Sequence, residues 1–145
     1  MKSRNLLAIA FILISLVLGT LFFLEINFPQ GIKPYFKKAY YGQFGPLAIS
    51  VELLIGGLYL WYKHKKTNFT LALFGFTALL DPIFNVTGLF TSQVPLYATI
   101  IFIVCGIIAL WIAFTNAFQS GKISIAAAFM SFLGGTAVEL FFNYL

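Results

Sequence analysis

The chain has 145 residues, of which 61% are hydrophobic and only 9% charged. A soluble domain has about a quarter of its residues charged and cannot bury this much apolar surface at this length, so a water-soluble globule is excluded, and a disordered segment with it. The net charge of +5 falls between apolar runs, where it reads as membrane anchoring and contact with anionic lipid rather than as a nucleic-acid surface.

A helix needs roughly 20 apolar residues to cross a hydrocarbon layer of about 30 Å. The pattern predicts five such spans, over residues 6–24, 46–62, 69–90, 95–118 and 123–145. No run alternates with period two, so these are not tilted barrel strands. The first span follows Lys2 and Arg4. Its apolar core of about 19 residues exceeds a signal-peptide core and no A-x-A site follows it, so it is expected to stay as a helix. In the long connection 26–44, Ile32, Phe36, Tyr40 and Phe44 recur every fourth residue, with Lys33, Lys37 and Lys38 off the stripe. This suits either a short interfacial helix lying aromatic face down or a plain aromatic belt. Trp61, Tyr62 and the run Lys63-His64-Lys65-Lys66 close the second span at an interface. Pro95 suits a first helical turn, and the short links 91–94 and 119–122 force antiparallel neighbours.

Taken together, these elements predict an all-α polytopic bundle of five transmembrane helices in a single domain. Lys2, Arg4, Lys63, Lys65, Lys66 and Lys122 fall on one side, and Lys33, Lys37 and Lys38 on the other. The excess predicts a cytoplasmic N-terminus and an outside C-terminus, with a bacterial inner membrane as the default location.

There are four acids: Glu25, Glu52, Asp81 and Glu139. Glu25 ends the first span, whereas the other three lie inside spans. Each costs about 2.5–3.5 kcal/mol at the centre of a lone helix, so they are expected to face the bundle interior, to be partly protonated or to pair. By the helical rise, Glu52 lies about 9 Å below the outer end of its span, while Asp81 and Glu139 lie about 18 and 24 Å from the inner side. All three fall in the outer half. Asn85 and Asn143, each four residues beyond an acid, extend the stripe outward. Small or polar neighbours share these faces: Ala127, Ser131 and Gly135 below Glu139, Gly56 beside Glu52, Thr77 and Gly88 along the Asp81 face, and Gly106, Ala109 and Ala113 on the fourth span. Pro82 frees the carbonyl of Ala78 for a polar partner.

Two readings compete for the acids. One is a ligand-binding pocket of Glu52, Asp81, Asn85, Glu139 and Asn143, open to the outer face and holding a cation, a proton or a polar head group. The other is interhelical hydrogen bonding alone. Catalytic and metal signatures are weak. His64 sits among the lysines, no serine has a histidine near it, and Cys105 is the single cysteine, so a zinc set, haem ligation and a nucleophile–base pair are not expected. Asn68-Phe69-Thr70 and Asn85-Val86-Thr87 match the glycosylation pattern by chance. Gly56-Gly57 and Gly134-Gly135 read as packing positions.

The string Val51-Glu52-Leu53-Leu54-Ile55-Gly56-Gly57-Leu58-Tyr59-Leu60 resembles a signature of the DoxX-like membrane proteins, small bundles with an E-x-x-x-G-G-like run in their second helix. The basic turn at Lys63 to Lys66, the apolar helix that follows, Tyr35-Phe36, Gly45-Pro46 and Gly121-Lys122-Ile123-Ser124 extend the likeness over about residues 5–125. The chain departs from that family in its fifth span, in Leu24-Glu25-Ile26 where a glycine-lysine pair is usual, and in Asp81 and Glu139, which the motif does not cover. The resemblance implies a quinone-related or accessory role, with Glu52 as the transferable position. The leading expectation is therefore a binding or accessory subunit, possible ligands being a quinone or a lipid. The alternatives are a proton- or cation-coupled transporter component, or a structural subunit whose small-residue seams contact a second copy or a larger membrane complex. Enzyme activity by this chain alone is the least supported.

Overall fold

A computed structural model describes residues 2–28, 30–33, 40, 42–89, 94–119 and 122–143, the side chains of Lys2 and Asn143 excepted. Five helices carry the fold: α1 (Lys2–Leu24), α2 (Gly45–Tyr62), α3 (Thr67–Val86), α4 (Leu96–Thr115) and α5 (Ile125–Asn143). All five are long and apolar enough to cross a membrane, and no strand occurs among the described residues.

The helix ends follow local chemistry. Pro46 lies in the first turn of α2, where its missing N–H costs nothing. Pro95 stands one position before α4 as an extended N-cap residue rather than inside the first turn. Lys63 and Asn116 close α2 and α4 in the left-handed conformation, at φ 54° and 51°. Helix α3 runs through Pro82 but ends at Val86, short of the predicted 90, because the chain turns away at Gly88 with φ +83°. Gly88 therefore leaves the face it was expected to share with Thr77, Asp81 and Asn85. The predicted interfacial helix falls mostly on residues 34–39 and 41, outside the described ones. What is described there is a 3₁₀ turn, Gly42–Phe44, whose Gln43 side chain clasps the backbone of Asn27 through two 2.9 Å hydrogen bonds.

The helices alternate in direction, which divides the bundle into a basic end and a far end. At the basic end α1, α3 and α5 begin and α2 and α4 finish; the far end holds the opposite termini. Helix α3 is central, packing on α2, α4 and α5, while α1 packs on α2. Small residues set these approaches. A Cβ on Gly57 would come within 3.2 Å of the Ile12 amide, so α1 lies directly on the α2 backbone. A Cβ on Gly75 would meet Leu110 at 2.5 Å and the Gly106 carbonyl at 3.0 Å, which seats α4 on α3. Phe22, Phe74 and Phe102 then join α1, α3 and α4 through ring contacts of 6.1 and 6.3 Å. Outward, Leu13, Val17, Val104, Ile107, Trp111 and Phe129 are exposed, a surface that only a lipid solvent tolerates.

Candidate functional site: a buried carboxyl cluster

Along α2, Glu52 stands seven positions from the far-end start of the helix, about 10 Å down by the helical rise. Asp81 is five positions from the far end of α3 and Glu139 four from that of α5, about 7 and 6 Å respectively. The α2–α3 and α3–α5 contacts turn the three faces towards one another. Asp81 and Glu139 are only 2% and 1% exposed. Their side chains hydrogen-bond to each other, and Glu52 lies close enough for its charge to act on Glu139. The structure thus brings these three acids, one from each helix, into a single cluster.

Thr77, one turn before Asp81, completes the arrangement. It is fully buried, hydrogen-bonds to the Glu52 side chain, and donates its hydroxyl to the Leu73 carbonyl at 2.8 Å. Gly135, one turn before Glu139, makes room for it. A Cβ there would meet the Thr77 amide at 3.0 Å and its Oγ1 at 3.1 Å, so the missing side chain is what lets α5 carry Glu139 to Asp81. Ser131, a further turn down, is buried and donates to the Ala128 carbonyl in its own helix. The Glu52 Oε2 atom is fully buried and has no hydrogen-bond partner among the described residues.

The other expected members lie at the margin. Asn85 is exposed in the last turn of α3. Asn143 is the last residue of α5, and its side chain lies outside the described ones. Nearby, a Cβ on Gly42 would sit 3.0 Å from the Phe142 carbonyl, so the 3₁₀ turn closes against the end of α5, above the carboxyls. Glu25 is exposed beyond α1 and lines a separate cavity of about 240 Å3 with Asn27 and Gln43.

The chemistry of the cluster follows from its charges. A carboxylate only accepts hydrogen bonds, so a bond between two carboxyl groups requires one of them to carry a proton. Among the described residues, the lysine and arginine within the five helices are Lys2 and Arg4, at the basic end, so none of these helices carries a base beside the carboxyls. Arg4 is engaged there, donating to the carbonyls of Leu60 at 2.6 Å and Trp61 at 2.7 Å at the end of α2. Among the described residues, no group of three His, Cys, Asp or Glu is arranged to hold a metal ion. The cluster can therefore hold, share and exchange protons.

Sequence reasoning passed over two polar contacts. Asn68 is buried in the first turn of α3, and its amide donates to Asn116 Oδ1 at 2.9 Å, tying α3 to the end of α4. His64 stacks on Tyr59 at 4.3 Å and accepts the Lys66 N–H at Nδ1, which shapes the turn from α2 to α3. The helix-terminal position of Asn68 and Asn116 was the available signal.

Comparison with known proteins adds no relative: no family model matches the chain, and neither a curated protein nor a solved structure matches it.

Proposed function

We propose that this chain is a small membrane-embedded binding or accessory subunit whose working site is the Glu52, Asp81 and Glu139 cluster, and that the cluster serves as a proton store near the far face. The hydrogen bond between the Asp81 and Glu139 carboxyls carries the reading. Acids buried within membrane spans are the usual material of intramembrane proton exchange. In the same proposal the basic end faces the cytoplasm of a bacterial inner membrane, as the distribution of lysines favours. The DoxX-like resemblance at Glu52 adds a quinone as the partner chemistry, since quinone reduction takes up protons and quinol oxidation releases them. A transport reading needs the polar path to continue to the basic end. There the fully buried Leu60, Leu71, Phe74 and Ile112 fill the interior, which favours local exchange over passage through the bundle.

Infrared difference spectroscopy of the purified protein tests this. The wild type is expected to show a protonated-carboxyl stretching band that responds to bulk pH and to an added short-chain quinone. Asp81→Asn and Glu139→Gln, which keep a hydrogen-bonding side chain, should remove most of that band while circular dichroism and thermal unfolding remain close to wild type. A missing band, or one untouched by both substitutions, refutes the proton store. A band that never responds to pH or quinone makes the cluster a lock between helices, and the binding function falls.

A further inference from the structure

We propose a second site, at the basic end, that binds one anionic phospholipid in the cavity between the starts of α3 and α5. It rests on different residues from the carboxyl cluster and does not depend on it. The cavity measures about 410 Å3, within the ~300–1,000 Å3 of small-molecule sites. Lys65 and Lys66 border it from the α2–α3 turn, and Lys122 from the α4–α5 link. Phe69, Ile123 and Ala127 form its apolar wall.

Charge complementarity identifies the occupant. All four acids of the chain lie beyond or within the far halves of their helices, so these three lysines have no internal counter-charge. Of the other basic groups nearby, Arg4 is engaged with the α2 carbonyls and His64 with Tyr59 and the Lys66 amide, while Lys63 does not line the cavity. Basic pockets between transmembrane helices at an interface take anionic head groups. The apolar wall excludes a merely solvated anion and fits the glycerol and first acyl carbons of a lipid. Beyond Ala127 the same face of α5 continues as exposed Met130, three residues on, where acyl chains would run. Ser124, at the mouth, has its Oγ fixed as acceptor of the Ala127 N–H at 3.0 Å, so the first turn of α5 holds its shape without the lipid.

Native mass spectrometry of the whole protein in detergent tests the site with three probes: phosphatidylglycerol, phosphatidylcholine and glycerol 3-phosphate. One phosphatidylglycerol is expected to remain bound under conditions that strip phosphatidylcholine, with no retention of glycerol 3-phosphate. Replacing Lys65 and Lys122 together with Gln should weaken binding by about thirtyfold, two surface lysines being removed. Lys63→Asn removes a charge from the same end but not from the cavity, and should weaken binding by less than about threefold. Ala127→Trp fills the cavity without changing charge and should abolish retention; a thermal melt confirms that each variant is folded. Equal retention of phosphatidylcholine would reduce the site to annular lipid. Retention of glycerol 3-phosphate would make it a soluble-anion site. A Lys63→Asn loss equal to that of the lysine pair would reduce it to diffuse charge. Any of these overturns the proposal.

Discussion

At the far end of the bundle three carboxyl groups from α2, α3 and α5 close on one another, while at the basic end Lys65, Lys66 and Lys122 ring an open cavity. Each group gathers charge of one sign, yet the protein handles the two differently. The acids sit within the hydrocarbon-spanning part of their helices, where an isolated charge is costly, so they gather, and Asp81 and Glu139 bond to each other. The lysines sit on the connecting turns, where long side chains reach the head groups and water, so they need no partner from the chain. Depth, more than sign, decides whether a charge is satisfied inside the molecule or left for the surroundings.

Opening the acid end to lipid should break this contrast most severely. Gly135→Leu would drive its side chain into the Thr77 backbone and Oγ1, parting α5 from α3 and separating Glu139 from Asp81. Overpacking of this kind costs about 1–3 kcal/mol, and the exposed acids add to it. A marked fall in thermal unfolding temperature in detergent is expected. Gly134→Ala, whose added Cβ meets only the flexible Leu73 Cδ1, should cost much less. Equal stability of Gly135→Leu and wild type would show that the α3–α5 contact is not what assembles the cluster.

A gentler change sharpens the same contrast. Thr77→Val keeps the shape of the side chain and removes the hydroxyl that meets Glu52 and the Leu73 carbonyl. Loss of these bonds in a buried site should cost about 1–2 kcal/mol. A double-mutant cycle with Glu52→Met, which keeps the length of the side chain but cannot hold that bond, should be non-additive. If the two effects add within about 0.5 kcal/mol, Thr77 and Glu52 act independently and the cluster reduces to Asp81 and Glu139.

The acid end was more legible in the sequence than the basic end, for a physical reason. Spanning a membrane fixes helix length, and a constant rise turns residue number into depth, so Glu52, Asp81 and Glu139 could be assigned one level before any packing was known. Helical spacing then linked Asp81 to Thr77 and Glu139 to Gly135. At the basic end the informative contacts join different helices at their termini, where no periodicity operates. Arg4 reaching Leu60 requires α1 to lie on α2, and Asn68 meeting Asn116 requires α3 to lie on α4. Neither pairing can be read along one strand of sequence. The end of α3 departs from the sequence pattern for a related reason: apolar residues continue past Val86, but the left-handed Gly88 turns the chain away.

The smallest effect is expected at the Asn68–Asn116 pair, and it separates two roles that one residue combines. Asn116 accepts the Asn68 amide and also holds the left-handed conformation that ends α4. Asparagine tolerates that conformation better than most residues, and glycine adopts it freely. Asn116→Gly should therefore lose the hydrogen bond alone, about 0.6 kcal/mol for a bond of this type inside a membrane bundle. Asn116→Ala should lose the bond and add the backbone penalty of roughly 1 kcal/mol for a non-glycine residue in this region. Asn68→Ala should cost at least as much as Asn116→Gly, and the double variant should cost less than the sum of the two single changes. Unfolding in mild detergent with a mixed denaturant gives these differences. If Asn116→Gly is as damaging as Asn116→Ala, the side-chain bond dominates at this end, and the basic end, like the acidic one, is held by buried polar contacts rather than by its turns.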